Sequence, residues 1–168
     1  MRRSILLLAL LCHAWGPAAS MGTDERAVAG WIERVRLLPS GIELEAKLDS
    51  GAENSSLHVE RQRFFRRDGE RWVRFTVEGE SGRRVAFERK LVRKAAIRRH
   101  SGRSDVRPVV SLAICLGSVA KRVEVNLVDR SGFDYPLLIG RSFLAGAYLV
   151  DTSAGMLQPL DCPDEVAP

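Results

Sequence analysis

Leu48-Asp49-Ser50-Gly51-Ala52 places a carboxylate, a hydroxyl and a glycine in consecutive positions after an apolar strand pattern. In residues 42–48 apolar side chains alternate with charged ones, which predicts a strand with one buried face that ends just before Asp49. Gly51 has access to backbone conformations that side chains forbid, so a tight loop can present the Asp49 carboxylate. The Ser50 hydroxyl is suited to holding that loop through hydrogen bonds. By itself, Asp-Ser-Gly is also an ordinary turn sequence.

A second motif follows the first by about ninety positions. Residues 136–144, Pro-Leu-Leu-Ile-Gly-Arg-Ser-Phe-Leu, join a short apolar strand to Gly140-Arg141 and to the one helix that the sequence predicts, over 141–146. In this order the two motifs resemble the retropepsin-like aspartic peptidases. In that family an Asp-Thr/Ser-Gly-Ala loop and an apolar-apolar-Gly-Arg segment cross to form the floor of the active site.

The resemblance implies both a fold and a set of site residues. The implied fold is all-β, a closed barrel of the acid-protease type with one short α-helix, and Asp49 is the implied catalytic carboxylate. The residues expected to support the active-site loop are Ser50, Gly51, Ala52, Gly140 and Arg141. Arg141 is expected to brace the floor of the site through carboxylates or backbone oxygens rather than to act on substrate.

Aspartic peptidases need two carboxyl groups that share a proton around one water molecule. The sequence offers one clear candidate: Asp151-Thr152-Ser153 lacks the glycine at its third position, and only 17 residues follow Asp151, too few for a second lobe. Asp129 and Asp134 are interpreted as turn or surface carboxylates. The resemblance therefore implies a homodimeric endopeptidase in which a two-fold axis brings together Asp49 of each copy.

The similarity is closer still to a bacterial subgroup historically labelled ATP-dependent zinc proteases, and it spans roughly residues 30–151. Beyond the two motifs, it is carried by Ser55-Ser56-Leu57-His58, Asp68-Gly69, Trp72-Val73-Arg74-Phe75, Arg107-Pro108-Val109-Val110 and Leu127-Val128-Asp129-Arg130. Some members are linked with ATP-grasp glutamate ligases, which implies peptide or modified-protein substrates.

The residues do not support the zinc and ATP label of that subgroup. Zinc hydrolysis requires ligands such as His-Glu-x-x-His, and ATP use requires a pattern such as Gly-x-x-x-x-Gly-Lys-Ser/Thr; neither occurs. His58 and His100, with Cys115 or an acid, are the remaining ligand candidates, and their spacing favours surface or packing roles. We therefore predict neither a metal nor a cofactor.

The N-terminus has the order of a secretory signal. Two arginines precede the apolar stretch 4–15, which small residues follow up to Ser20, so we expect cleavage after Ser20 and a secreted or periplasmic protein. The apolar core of about a dozen residues is short of the roughly 20 that a membrane-spanning helix needs. Removal of residues 1–20 leaves 148 residues with no expected transmembrane segment, the size of one domain. Its expected parts are a flexible N-terminus (21–29), the peptidase domain (30–160) and a C-terminal tail (161–168).

Two cysteines, Cys115 and Cys162, remain after the expected cleavage. An even number in an oxidising compartment is compatible with one disulfide, and two separate buried thiols are the equal alternative.

Strand patterns cover most of the remaining chain. The predicted strands are residues 31–37, 42–48, 72–77, 85–91, 109–116, 123–128 and 136–139. Between the third and fourth of these, Gly79-Glu80-Ser81-Gly82 predicts a hairpin tip that is our candidate for a mobile flap.

The middle of the chain is strongly basic. Residues 61–107 contain 16 Lys or Arg and 6 Asp or Glu. Arginines alternate there with aromatic and aliphatic residues, which favours strands with one solvated basic face. The alternative to an enzyme is a non-catalytic module that grips an anionic cell-envelope polymer or a partner protein through this segment. Export argues against nucleic acid as the partner. A serine nucleophile at Ser55 or Ser56 lacks an obvious His-Asp arrangement.

Overall fold

The computed structural model describes residues 26–98, 104–163 and 166, and this part of the chain forms eleven β-strands and one short helix. The strands are β1 (Ala27–Gly30), β2 (Ile32–Leu38), β3 (Ile42–Leu48), β4 (Ser55–His58), β5 (Glu60–Arg67), β6 (Glu70–Glu78), β7 (Arg84–Arg98), β8 (Ser104–Leu116), β9 (Val119–Val128), β10 (Leu137–Ile139) and β11 (Tyr148–Asp151). The helix, α1, is Arg141–Leu144. The all-β class with one short helix is therefore confirmed. The expected signal peptide and His100 lie outside the described residues.

Six strands close into a barrel. They hydrogen-bond in the order β2-β3-β10-β4-β9-β8, and a further pairing of β2 with β8 completes the ring. The closed barrel implied by the family resemblance is confirmed. Closure leaves these strands no free edge along the paired stretches. Within the described residues, no helix is long and apolar enough to cross a membrane.

The alternation in β3 shows how the sequence builds this barrel. Ile42, Leu44, Ala46 and Leu48 are buried, and the residues between them are partly or fully exposed. Opposite faces of a strand receive successive side chains, so one face of β3 fills the barrel and the other meets solvent. The buried set extends around the ring through Val35, Leu37, Leu57, Leu112, Ile114, Val125, Leu127, Leu137 and Ile139. Asp49 therefore follows directly after β3, a strand whose inner face is well packed.

Three strands extend the sheet beyond β8 in the order β7-β6-β5, and we call β5–β7 the arm sheet. One of its faces is apolar, where Phe75 and Phe87 stack with their ring centroids 5.5 Å apart. The arginines of the basic segment lie mainly on exposed positions, and several are paired with acids, as Arg74 is with Glu88. The basic segment therefore forms strands with one solvated face.

The start of the described chain corrects one expectation. Residues 27–29 belong to the segment 21–29 that we expected to be flexible, yet they form β1, which pairs in parallel with β11. Such a pairing joins the two ends of the domain and has no local sequence signature. Tyr148 of β11 secures it, because its hydroxyl donates to the carbonyl oxygen of Leu116 at 2.5 Å. Burial raises the pKa of Tyr148 to about 12.

A buried carboxylate ties the C-terminal segment to β1 and β2. The Glu33 side chain is 0% exposed, and its Oε1 accepts the backbone N–H groups of Gly30 at 2.6 Å and Leu157 at 2.9 Å. Its Oε2 accepts the N–H of Gln158 at 3.2 Å. Burial of a carboxylate is costly unless its oxygens are hydrogen-bonded, and three amides meet that requirement here.

Cys115 and Cys162 form a disulfide. Of the two alternatives left open by the sequence, the bonded state is the one present in the structure. The bond fastens the segment after β11 to β8, one of the six barrel strands.

We predict that Glu33→Gln lowers the free energy of unfolding by about 1–3 kcal/mol, because an amide NH₂ would replace an acceptor and leave a buried N–H unpaired. Urea unfolding measures the effect. Glu45→Gln is the matched control: it removes the same charge from β3, and Glu45 has no hydrogen bond or ion pair within the described residues. Equal losses in the two variants would contradict the role of Glu33.

Candidate active site

Strand β10 lies between β3 and β4 and determines the geometry around Asp49. It pairs in parallel with β3, where Ile139 faces Leu48, and antiparallel with β4, where Leu137 faces Leu57. The backbone N–H of Asp49 donates to the carbonyl oxygen of Ile139 at 2.9 Å. The two sequence motifs, about ninety residues apart, are therefore joined directly at this point.

The Asp49 carboxylate organises its own loop. Its Oδ1 accepts the backbone N–H of Gly51 at 2.8 Å and that of Ala52 at 3.3 Å. Asp49 is half-buried, whereas Ser50 and Gly51 are exposed. Two backbone amides of the loop therefore hold the Asp49 carboxyl group through one of its oxygens, and the residue stays partly open to solvent.

Gly51 is needed for a different reason than the sequence predicted. Its φ is not in the positive region that favours glycine, in contrast to Gly41 or Gly69. A Cβ at position 51 would lie 3.1 Å from Oδ1 of Asp49, so the glycine keeps space free beside the carboxylate. The hydrogen bond found at Ser50 also differs from expectation, because it involves the carbonyl oxygen and not the hydroxyl.

Gly140 and Arg141 clamp the loop from the other side. A Cβ at Gly140 would lie 2.7 Å from the carbonyl carbon of Asn54 and 2.8 Å from the carbonyl oxygen of Glu53, so the two backbones are in direct contact. The Arg141 guanidinium donates through Nη1 to the carbonyl oxygens of Ser50 at 2.8 Å and Gly51 at 2.9 Å. Its backbone N–H donates to Ala52 at 2.8 Å. Arg141 thus braces the loop through backbone oxygens.

The two serines after the loop have structural partners. Ser55 is fully buried, and its hydroxyl accepts the backbone N–H of Gly140 at 3.2 Å. Ser56 is buried too, and its hydroxyl accepts Nη1 of Arg130 at 2.9 Å. Neither hydroxyl is hydrogen-bonded to a histidine within the described residues, so the arrangement offers no activated serine.

Arg130 is a buried cation near Asp49 that the sequence did not mark as a site residue. Its Nε donates to the carbonyl oxygen of Tyr135 at 3.1 Å, and its guanidinium lies 4.5 Å from the centroid of the Phe133 ring. Burial and the charge of Arg107 lower the pKa of Arg130, while Asp49 acts in the opposite direction. The Asp49 carboxylate therefore lies within the electrostatic reach of a guanidinium that no salt bridge within the described residues neutralises.

His58 and Asp129 belong to the support of Arg130. His58 Nδ1 accepts the backbone N–H of Arg130 at 2.8 Å and lies 3.6 Å from Oδ1 of Asp129. Asp129 itself accepts the N–H of Ser131 at 2.9 Å, and hydrogen bonds from Ser131 lower the pKa of its exposed carboxyl group. No cluster of three His, Cys, Asp or Glu side chains able to hold a metal ion exists among the described residues.

Asp151 has the geometry of a turn residue. Its Oδ1 accepts both the backbone N–H of Ser153 at 2.8 Å and the Ser153 hydroxyl at 2.6 Å, which lowers the pKa of Asp151. This closed local pattern does not involve the Gly-Arg segment that braces Asp49.

The candidate flap lies far from Asp49 of its own chain. The tip at Gly79–Gly82 contacts the first residues of β3: the N–H of Glu80 donates to the carbonyl oxygen of Glu43 at 3.1 Å. Asp49 follows the other end of β3, about 20 Å away at roughly 3.3 Å per residue. A Cβ at Gly79 would also lie 2.7 Å from Ile42, so the tip is packed onto the barrel wall. Within one chain this hairpin does not cover Asp49, and its role as a flap stays a prediction.

Trp31 and Tyr135 form an aromatic contact near the end of the strand that leads into the loop. The carbonyl oxygen of Trp31 accepts the N–H of Leu48 at 2.9 Å, which places Trp31 beside the residue before Asp49. The Trp31 ring makes an edge-to-face contact with Tyr135, with centroids 6.0 Å apart. This aromatic contact was not found from the sequence, because it joins residues 104 positions apart.

The closed barrel, the crossing strand and the braced Asp-Ser-Gly-Ala loop together define a retropepsin-like protein. Comparisons with known proteins agree with this class. The family model described as "Retropepsin-like aspartic endopeptidase RimB" matches residues 28–160. The chain therefore belongs to the RimB-like family of retropepsin-like aspartic endopeptidases.

Individual relatives have other names. A "Probable alpha-L-glutamate ligase" of Shewanella pealeana is 36% identical over 113 residues, which is 66% of this chain and 25% of that protein. A protein of the same name from Parasynechococcus marenigrum is 33% identical over 111 residues, 64% of this chain and 24% of that protein. The chain thus spans about a quarter of the length of these curated relatives.

A solved structure from Legionella pneumophila, described as a protein with unknown function, has a similar fold. It is 34% identical in sequence, with a TM-score of 0.69, and the match covers 79% of this chain and 98% of that one.

We predict that Gly140→Ala destabilises the protein by about 1–3 kcal/mol, because the added methyl group meets backbone atoms that cannot move without opening the crossing. Urea unfolding of the purified variant measures this loss. Gly132→Ala is the control, since a Cβ there meets nothing within 4 Å, and its effect is expected to stay within about 0.5 kcal/mol. A Gly140→Ala variant as stable as the control would refute the role of the close contact.

Proposed function

We propose that this protein is an exported aspartic endopeptidase whose catalytic dyad consists of two Asp49 carboxyl groups, one from each copy of a homodimer. The observation that carries the proposal is the loop itself. Its carboxylate is fixed by the amides of Gly51 and Ala52, the loop backbone is held by Arg141, and Ser50 and Gly51 remain open to solvent. Membership of a family of aspartic endopeptidases supports the reaction class.

The homodimer follows from the number of suitable carboxylates. Within the described part of the chain, Asp49 alone combines a glycine loop with bracing by the Gly-Arg segment, and Asp151 is bonded into its own turn. Because a peptidase dyad needs a second carboxyl group, a two-fold axis beside Asp49 supplies it in the simplest way. The exposed Ser50 and Gly51 leave room for this approach.

In the proposed mechanism the two Asp49 groups share one proton, because two close carboxylates do not both ionise easily. The ionised group takes a proton from water as the water oxygen attacks the amide carbon. The protonated group donates to the carbonyl oxygen. Collapse of the tetrahedral intermediate breaks the C–N bond and releases a carboxylic acid and an amine. No metal or cofactor enters these steps.

Export is supported by two observations. Residues 1–20 have the charged, apolar and small-residue order of a secretory signal, and Cys115 is bonded to Cys162. Disulfides persist in oxidising compartments such as the periplasm. The proposed substrates are peptides or proteins. We do not extend ligase activity to this chain, because it spans only about a quarter of the relatives with that name.

The second candidate function is a binding module that uses the basic segment to hold an anionic envelope polymer or a partner protein. Exposed Phe64, at 54%, beside the arginines of β5 favours it. It differs from the enzyme in a simple respect, since binding of this kind would not require the Asp49 carboxyl group.

We predict that Asp49→Asn abolishes peptide cleavage and preserves the fold and dimer, because an amide cannot take the proton that the attacking water loses. Purified proteins are compared from acidic to neutral pH on a diverse peptide library, with and without a metal chelator and an aspartic-peptidase inhibitor. Circular dichroism and sedimentation check the fold and the oligomeric state.

Two further variants serve as controls. Ser50→Thr leaves in place the backbone carbonyl oxygen that Arg141 holds and is expected to stay active. Asp151→Asn removes a carboxylate that the proposed dyad does not use. Cleavage that persists unchanged in Asp49→Asn would overturn the mechanism, and loss of cleavage with chelator would indicate metal chemistry instead.

A further inference from the structure

Arg89 of β7 and Arg122 of β9 form a pair of positive charges on the barrel surface. Both line two adjoining depressions, of about 640 Å³ and 700 Å³. Arg89 is half-buried, and Arg122 is exposed. Burial, together with the charge of Arg122, lowers the pKa of Arg89, so the two guanidinium groups lie within electrostatic reach of each other. Neither has an acidic partner among the described residues.

The neighbouring arginines are neutralised. Arg93 contacts Glu124 at 2.7 Å. Arg36, which lines the depression of about 640 Å³ together with Leu38, contacts Glu43 at 2.7 Å. Glu88 is occupied by Arg67 and Arg74. Since the surrounding acids already have partners, the uncompensated charge is concentrated on Arg89 and Arg122.

Arg89 is held in place without an anion. Its guanidinium carbon lies 5.3 Å from the centroid of the Phe87 ring, and its Nη1 donates to the carbonyl oxygen of Glu88 at 2.8 Å. Stacking and this hydrogen bond fix the plane of the guanidinium and leave its other N–H groups available. Ser111, which lines the same depression as both arginines, adds a hydroxyl donor.

We propose that Arg89 and Arg122 form a binding site for a phosphate group. A phosphate group offers three terminal oxygens and close to two negative charges, which matches two guanidinium forks better than the two oxygens and single charge of a carboxylate. The bound anion removes the repulsion between the arginines.

The site lies away from the proposed catalytic centre. Leu38, Ala113 and Arg122 face one another across β2, β8 and β9, next to the turn that joins β2 to β3. Asp49 follows the opposite end of β3. Phosphate binding therefore depends on neither peptidase activity nor the Asp49 dyad.

The experiment measures binding of inorganic phosphate to the full mature chain by calorimetry, at constant ionic strength with chloride as the compensating anion. Binding to the wild-type protein is expected, with affinity at least ten-fold weaker in Arg122→Gln and in Arg89→Gln. Arg63→Gln is the matched control, because it removes one exposed positive charge from β5, and it should bind as the wild type does. Equal phosphate affinity in all four proteins would mean that phosphate responds only to the overall positive charge of the protein, and it would overturn the site.

The C-terminal tail of the chain calls for a second set of titrations. Cys162, Pro163 and Val166 line one of the depressions, and Asp164 and Glu165 fall between them in the sequence but outside the described residues. An Asp164→Asn/Glu165→Gln protein is therefore titrated in parallel. Phosphate binding with the wild-type tail or with the substituted tail supports the site if Arg122→Gln abolishes it. Absence of binding in both backgrounds overturns it.

Vesicles separate the two sources of the phosphate group. Phosphatidylcholine vesicles with and without phosphatidic acid are mixed with the wild-type protein and with Arg122→Gln. Binding that needs phosphatidic acid, is competed by inorganic phosphate and is lost on Arg122→Gln assigns the site to a lipid headgroup. Binding of free phosphate without binding to vesicles assigns it to a soluble phosphate group.

Discussion

The contact between Gly140 and the backbone of residues 53–54 is the constraint on which the candidate site depends. It lets β10 enter between β3 and β4, and the barrel ring passes through that position. From the same contact, the next residue places its guanidinium on the carbonyl oxygens of Ser50 and Gly51. The lack of a side chain at Gly140 thus connects closure of the barrel to the position of the Asp49 carboxylate. A change at Gly140 would therefore alter both the barrel and the loop that carries Asp49.

Two buried charges near this crossing are stabilised without an ion pair. Glu33 is satisfied by three backbone amides, and Arg130 by a carbonyl oxygen and a serine hydroxyl. Arg130 has no salt bridge in the described part of the chain, and Asp49 lies within its electrostatic reach.

The sequence predicted the parts of this structure whose determinants are local or carried by motifs. Alternation located β3 to the residue, and the two motifs indicated the barrel and Asp49. Other elements had no such signal. β4 contains the polar residues Ser55 and Ser56, whose burial is compensated only by distant partners. β1 exists through its pairing with β11. Trp31 meets Tyr135, and Arg130 comes within electrostatic reach of Asp49, only in the folded chain.

A catalytic centre that two chains complete responds to protein concentration as well as to sequence. In the proposed dimer each chain contributes one Asp49, so the fraction of competent sites would follow the dimer population and fall steeply below the dissociation constant of the dimer. A dilute wild-type protein would then behave as a protein without a dyad, although each loop is intact. The braced loop is therefore a property of the single chain. Under the proposed mechanism turnover would be a property of the association, and only measurements above the dimer dissociation constant would separate an inactive fold from an unassembled enzyme.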